Sequence, residues 1–227
     1  MSDGRSARVL KGPGTCCRDR PDLGRDLLIR VLLAVFGALL AVIHGGKADA
    51  HPHVFITYSA SVIFGDGDAT AIRLTWSFDE MYSAMILTDY TAAKTGTITP
   101  ADVGTIEKEA FANLSNYGYF LDIKVNDEPI KVTKVKDFGV KFVDHRAVYQ
   151  FTVPLDAAKA KSSNVIEISV FDQEYYVEFS LREKDAVTLQ HAEGFAAECN
   201  ELRNQRRITV LGPIQSDLVV CTYARKS

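Results

Sequence analysis

The chain has 227 residues, a formal net charge of −3 and 47% hydrophobic residues. Residues 1–50 hold eight basic and five acidic side chains, which leaves the remainder at −6. An acidic chain of that size forms one domain with a core, and it has no electrostatic footprint for nucleic acid or for an anionic membrane surface.

The first element is an unbroken apolar run from Val31 to Ile43, VLLAVFGALLAVI. Arg18, Arg20, Arg25 and Arg30 precede it, and Ala48-Asp49-Ala50 comes after it. The run has the length of a signal-peptide core and is short for a bilayer span, and the small-residue triplet matches the A-x-A pattern of signal peptidase. This predicts a signal peptide over residues 1–50, cut between Ala50 and His51, and an exported, periplasmic protein with no stable membrane anchor after cleavage. An uncleaved anchor is the alternative, disfavoured by the shortness of the run.

Strands dominate the rest of the chain. Val54, Ile56, Tyr58, Ala60 and Val62 share one parity and end in Gly65-Asp66-Gly67-Asp68. Ile72, Leu74, Trp76 and Phe78 repeat the alternation, so these two strands form a hairpin. Alternation then stops from about residue 79 to 117. Thr99-Pro100 with Asp102 reads as a helix start, and Ile106, Ala110, Phe111 and Leu114 fall on one helical face. Strands resume at Phe120 to Val125, Ile130 to Val135, Val140 to Val143 and Ala147 to Leu155, with turns at Asn126-Asp127 and Asp144-His145-Arg146. Val165 to Phe171 and Tyr175 to Leu181 read as a further hairpin around Asp172-Gln173-Glu174. Residues 196–227 are less regular, with strand-like Arg207 to Leu211 and Leu218 to Cys221. The predicted fold class is mainly β: an antiparallel β-sandwich-like domain over residues 51–227, with a helical insertion (about 79–117) between the second and third strands.

The cysteines divide between the two parts of the chain. Cys16 and Cys17 leave with the signal segment, while Cys199 and Cys221 remain as its only thiols. In an oxidising compartment they are expected to form a disulfide that ties the C-terminal tail (about 196–227) and closes a loop of about twenty residues. Two separate buried thiols are the plainer alternative. A thiolate metal site is disfavoured because the CxxC spacing is absent.

The sharpest chemical constellation is His51 with His53. Cleavage before His51 frees an α-amine that can close a chelate ring with the imidazole of the same residue. In an extended segment His53 faces the same side. Three neutral nitrogens suit nickel, cobalt, zinc or copper. Pro52 lacks a backbone N–H, which excludes a square-planar site built on deprotonated amides. The plain alternative is two polar histidines on an edge strand, where a proline also fits. Asp79 and Glu80 end the second strand. Either carboxylate serves as an oxygen ligand or as an imidazole-orienting group, or the two are acidic residues in a helix first turn. Asp172 and Glu174 fall in a turn, where aspartate is common as a cap; Asp172 is also a metal candidate. Tyr175 and Tyr176 read as strand residues, His145 as solvated, and Trp76 as core; His191 has no assigned role. No G-x-S-x-G elbow, HExxH, phosphate loop or CxxC occurs after residue 50, so the sequence offers no catalytic motif and calls for no organic cofactor.

The start His51-Pro52-His53-Val54-Phe55-Ile56, the element Trp76-Ser77-Phe78-Asp79-Glu80-Met81-Tyr82-Ser83, Phe120, the hairpin around Asp144, and Phe171-Asp172-Gln173-Glu174-Tyr175-Tyr176 together resemble the DUF1007 family. The resemblance runs from about His51 to Leu189. It implies a periplasmic component of a transport system related to nickel/cobalt-type membrane transporters, with an inner-membrane metal transporter as partner. Relatives carry an EF-hand-like D-x-N-x-D-G loop before the helix. This chain has Thr91-Ala92-Ala93-Lys94-Thr95-Gly96-Thr97-Ile98, with Asp102 in the last ligand slot, so no calcium site is expected. Gln173 stands where the family often has proline. The readings that result are a metal-binding accessory protein, a histidine-brace copper protein or enzyme, and a metal-free adaptor for a membrane partner.

Overall fold

The computed structural model describes residues 27–34, 52–65, 67–94, 96–155 and 164–226. The chain divides into two units, Met1–Asp49 and Ala50–Ser227. In the first, residues 27–34 form a helix (α1) whose side chains are all exposed. The expected cut between Ala50 and His51 lies outside the described residues. Among the described residues no helix is long and apolar enough to cross a membrane.

The second unit is two β-sheets with a helical insertion. One sheet contains β1 (Val54–Phe64), β2 (Ala69–Phe78), β5 (Lys136–Val143), β6 (Arg146–Pro154), β8 (Val177–Leu181) and β9 (Val187–Gln190). Its order is β5-β6-β2-β1-β8, and β9 continues the β8 edge by pairing farther along β1. The other contains β3 (Leu121–Val125), β4 (Glu128–Ile130), β7 (Asn164–Val170), β10 (Phe195–Thr209) and β11 (Gly212–Arg225), in the order β10-β11-β7-β3-β4. All pairings are antiparallel except those of β8 and β9 with β1.

The period-two pattern explains the core. Val54, Ile56, Tyr58, Ala60, Val62 and Phe64 of β1 are all buried, as are Ile72, Leu74, Trp76 and Phe78 of β2. Ile166, Ile168 and Val170 of β7 and Val219, Cys221 and Tyr223 of β11 supply the opposing face. Each full burial of a large aliphatic side chain contributes about 1.5–3 kcal/mol. Two buried carboxylates bridge the sheets. Asp68, in the turn after β1, accepts the Tyr223 hydroxyl. Asp217 of β11 accepts the N–H groups of Leu181 at 2.7 Å and Asn204 at 2.9 Å.

The insertion comprises α2 (Glu80–Tyr90), α3 (Pro100–Ile106), a π-helical turn at Glu107–Phe111 and a 3-10 stretch at Ala112–Phe120. Asp79 caps α2 by accepting from Tyr82 N at 2.8 Å. Ser83, fully buried, fixes α2 to β6: its Oγ donates to Asp79 O and accepts Ala147 N at 2.8 Å. Thr99 and Asp102 form a reciprocal capping box with Pro100 at the first helical position, as the sequence predicts. Ile86, Ile106 and Phe111 bury the apolar face. Two of the expected turns carry paired left-handed residues, Asn126-Asp127 and Asp144-His145, which suits two-residue hairpins.

Three local expectations change. The strand expected over Ile130 to Val135 is only Glu128–Ile130. The segments on either side of Asp172 are not a hairpin: β7 and β8 belong to different sheets, and β8 runs parallel to β1. The irregular C-terminal region is a long hairpin, β10–β11. Its disulfide joins Cys199 and Cys221, directly opposed residues of that hairpin, while the pairing of β11 with β7 fixes the segment to the sheet.

Candidate functional site

The end of the molecule where β1 begins gathers most of the residues singled out by sequence. Pro52 and His53 lead into β1. His53 donates its backbone N–H to Tyr176 O at 2.8 Å, and its ring lies 4.9 Å from the Tyr176 ring. His53 is exposed, and neither of its ring nitrogens has a hydrogen-bond partner among the described residues. His51 and Ala50 lie outside the described residues, so the three-nitrogen chelate has one described member.

Asp172 sits in the crossing from β7 to β8 and is 6% exposed. Its Oδ1 accepts Glu174 N at 3.0 Å, and its Oδ2 accepts Tyr176 N at 3.0 Å and Val177 N at 3.1 Å. The carboxylate therefore shapes the turn that presents Tyr176 to His53. Asp79 does comparable work two residues along β1. It accepts Phe55 N on Oδ2 at 2.9 Å and Tyr82 N on Oδ1, while its own N–H donates to Phe55 O. Glu80 is exposed and lies 3.8 Å from Arg146 Nη2. Thus His53 and Asp172 meet at Tyr176, Asp79 stands nearby along the same strand, and Glu80 turns outward. Among the described residues, no group of three or more His, Cys, Asp or Glu side chains is arranged to hold a metal. His145 and His191 sit in turns at positive φ, both exposed. Asp102 accepts N–H groups from Ala92 at 3.0 Å and Thr99 at 2.9 Å, together with the Thr99 hydroxyl. Those hydrogen bonds, led by the Thr99 hydroxyl, hold its carboxyl below the ordinary carboxylate range.

Beside this end lies a feature that residue-by-residue reading misses: a cavity of about 270 Å³ between β1, β2, β6, the insertion and the β7–β8 crossing. Trp76, Phe78, Tyr82, Phe111, Tyr149 and Tyr176 are among its aromatic walls. Trp76 is fully buried, with Phe151 edge-on at 4.9 Å, whereas Tyr176 is 55% exposed, so the cavity runs from an apolar floor to an open mouth. Asp172 and Glu174 line it, and among the described residues no Lys, Arg or His does. The Trp76 Nε1 is buried with no acceptor among the described residues. Burial raises the Tyr149 and Tyr82 hydroxyl pKa values, with neighbouring tyrosines adding to the effect. Part of the cavity wall has irregular backbone. Ala110 and Phe111 sit on the π-helical turn, and Phe120 ends a run, Gly118 to Phe120, of three consecutive residues at φ of 54–59°. π-turns and left-handed non-glycine residues are costly and recur at binding sites. The sequence signal for the cavity is the density of aromatics in β2 and the insertion, each of which reads singly as core.

A family model described as a protein of unknown function, DUF1007, matches residues 35–206. An uncharacterized protein from Haemophilus influenzae is 26% identical over 140 residues. That match covers 61% of this chain, and the chain spans 66% of the relative's length.

Proposed function

The chain belongs to the DUF1007 family, and on that premise we propose that it is an exported, periplasmic accessory protein of a transition-metal transport system, which holds nickel, cobalt, zinc or copper as cargo at a cleaved N-terminus, His51-Pro52-His53, and exchanges it with an inner-membrane transporter. The observation that carries this reading is the state of His53. Its backbone is fastened to Tyr176 O, and its imidazole is exposed with both nitrogens free of described partners. His51 lies within about 7 Å along the chain, since two extended residues span no more than that. A fixed imidazole this close to a new α-amine reduces the ordering cost of a shared metal ion. Asp172 supports the site by setting the turn that holds Tyr176.

The test compares two proteins, one beginning at His51 and one with a single residue added before it. Each competes with a chromogenic chelator for one equivalent of Ni²⁺, Co²⁺, Zn²⁺ or Cu²⁺. The protein starting at His51 is expected to bind at least about tenfold more tightly, the loss of one of three nitrogen donors. Equal affinities remove the N-terminal chelate.

A further inference from the structure

We propose that the aromatic cavity is a binding site for a small organic cation with an apolar body, an arylalkylamine in shape. Its volume of about 270 Å³ holds roughly ten non-hydrogen atoms, the size of one substituted ring. The walls are mostly aromatic, so they accept a flat apolar body and attract positive charge by cation–π contact. The two ionisable carboxyl side chains at the mouth differ in their freedom. Asp172 is committed to three backbone N–H groups, while Glu174 is exposed with no described side-chain partner. Glu174 is therefore the group that receives an ammonium. Among the described residues no basic side chain lines the cavity, which disfavours an anionic ligand. Trp76, which lines the cavity, has its Nε1 as a buried donor without an acceptor among the described residues. Such a group costs free energy unless a ligand supplies one, so the body should carry an acceptor such as a phenolic oxygen at its inner end. Ala110 and Phe111 of the π-helical turn and the left-handed Phe120 form one wall of this space. The proposal does not depend on the N-terminal metal.

Trp76 is the only tryptophan of the chain and reports directly on occupancy. Three probes sharing one ring separate the charge requirement: tyramine, neutral 4-ethylphenol and anionic 4-hydroxyphenylacetate. They are titrated into the protein with a chelator present, and followed by Trp76 emission and calorimetry. Tyramine is expected to saturate at micromolar to millimolar concentration, with 4-ethylphenol about fivefold weaker. No saturable signal is expected from the acid. Glu174→Gln, on the exposed mouth, is expected to weaken tyramine about threefold while leaving 4-ethylphenol unchanged, the size of an exposed ion pair. Ala110→Leu, which fills the cavity from the π-helical turn, should abolish binding of both. Failure of tyramine to saturate, equal affinity for all three probes, or insensitivity of a folded Ala110→Leu protein would overturn the proposal. Should Ala110→Leu fail to fold, the ranking of the probes and the Glu174→Gln contrast still decide it.

Discussion

His53 and Tyr176 are joined twice, by a backbone hydrogen bond of 2.8 Å and by rings 4.9 Å apart and tilted by 38°. The backbone bond orders the chain as it enters β1, and the ring contact orders the imidazole. Because Tyr176 is 55% exposed, Tyr176→Ala is expected to change global stability by less than about 1 kcal/mol. It should weaken metal binding by the protein that starts at His51 several-fold, because the imidazole then loses its rest. Urea melts and chelator competition on the same preparations read the two effects. A variant that binds metal as tightly as the parent would show that His53 orientation does not matter.

Asp172 predicts a larger effect on folding. One carboxylate, nearly buried, satisfies three backbone donors at the point where the chain leaves one sheet for the other. Asp172→Ala strands these N–H groups, and hydrogen bonds to a charged group contribute about 1.5–3 kcal/mol. A loss of about 2–4 kcal/mol is expected from denaturant midpoints at unchanged m-value. Asp172→Asn should recover part of it. A loss below about 0.5 kcal/mol would mean the turn holds its shape unaided.

Asp79 is expected to behave as a cap with an extra tether. Asp79→Ala should cost about 1–2 kcal/mol, as for other N-cap losses. Asp79→Ser should restore the Tyr82 bond but not the bond to Phe55 N, and so fall between the two. Thermal unfolding of the three proteins gives the order, and an Asp79→Ser protein no better than Asp79→Ala would assign the whole effect to the strand tether.

Asp102 gives a pH signature. Its folded-state carboxyl is held below the ordinary value of 3.8 by Thr99 and Ala92. The stability from this group is therefore fully present above that ordinary value and is lost as pH falls through the lower folded one. The gap in stability between the parent and Asp102→Asn should be constant near neutral pH and shrink in acid below 3.8. A gap that persists unchanged in strong acid would assign the effect to geometry rather than charge.

Legibility in the sequence depends on how local each cause is. The β1–β2 hairpin is legible because one buried face imposes alternation on Val54 to Phe64 and Ile72 to Phe78. The start of α3 is legible because Thr99, Pro100 and Asp102 act on neighbouring backbone. The β7–β8 crossing is not legible, since Asp172 caps a turn in the same way whether the next strand folds back or crosses to β1. The β10 half of the β10–β11 ribbon hides for the opposite reason: from Asn200 to Arg206 successive side chains are exposed or nearly so, so no buried face writes a pattern there, although Val219, Cys221 and Tyr223 of β11 are buried. The cavity is hidden because Trp76, Phe111, Tyr149 and Tyr176 come from four separate parts of the chain, and each alone looks like core. Asp79 and Asp172 are visible as candidates, but their hydrogen-bond duties need the partners Phe55 and Tyr176 and so emerge only with the fold.

The Cys199–Cys221 disulfide has its own expected outcome. It closes a segment with a sequence separation of 22, for which chain entropy predicts about 3 kcal/mol. That figure assumes an unfolded loop free of structure, whereas this loop is a hairpin able to hold residual pairing, so the measured loss should fall below it. The loss should also be local. Among the described strands β10 is the outer one and pairs with β11 alone, whereas β11 is anchored on β7 from Leu218 to Tyr223. Reduction, or the Cys199→Ser/Cys221→Ser pair, is therefore expected to speed amide exchange in β10 more than in β7. The proposed N-terminal chelate and the proposed cavity ligand, which do not contact β10 or β11, should bind as before. Uniformly faster exchange throughout both sheets would show instead that the hairpin folds as one cooperative unit with the core.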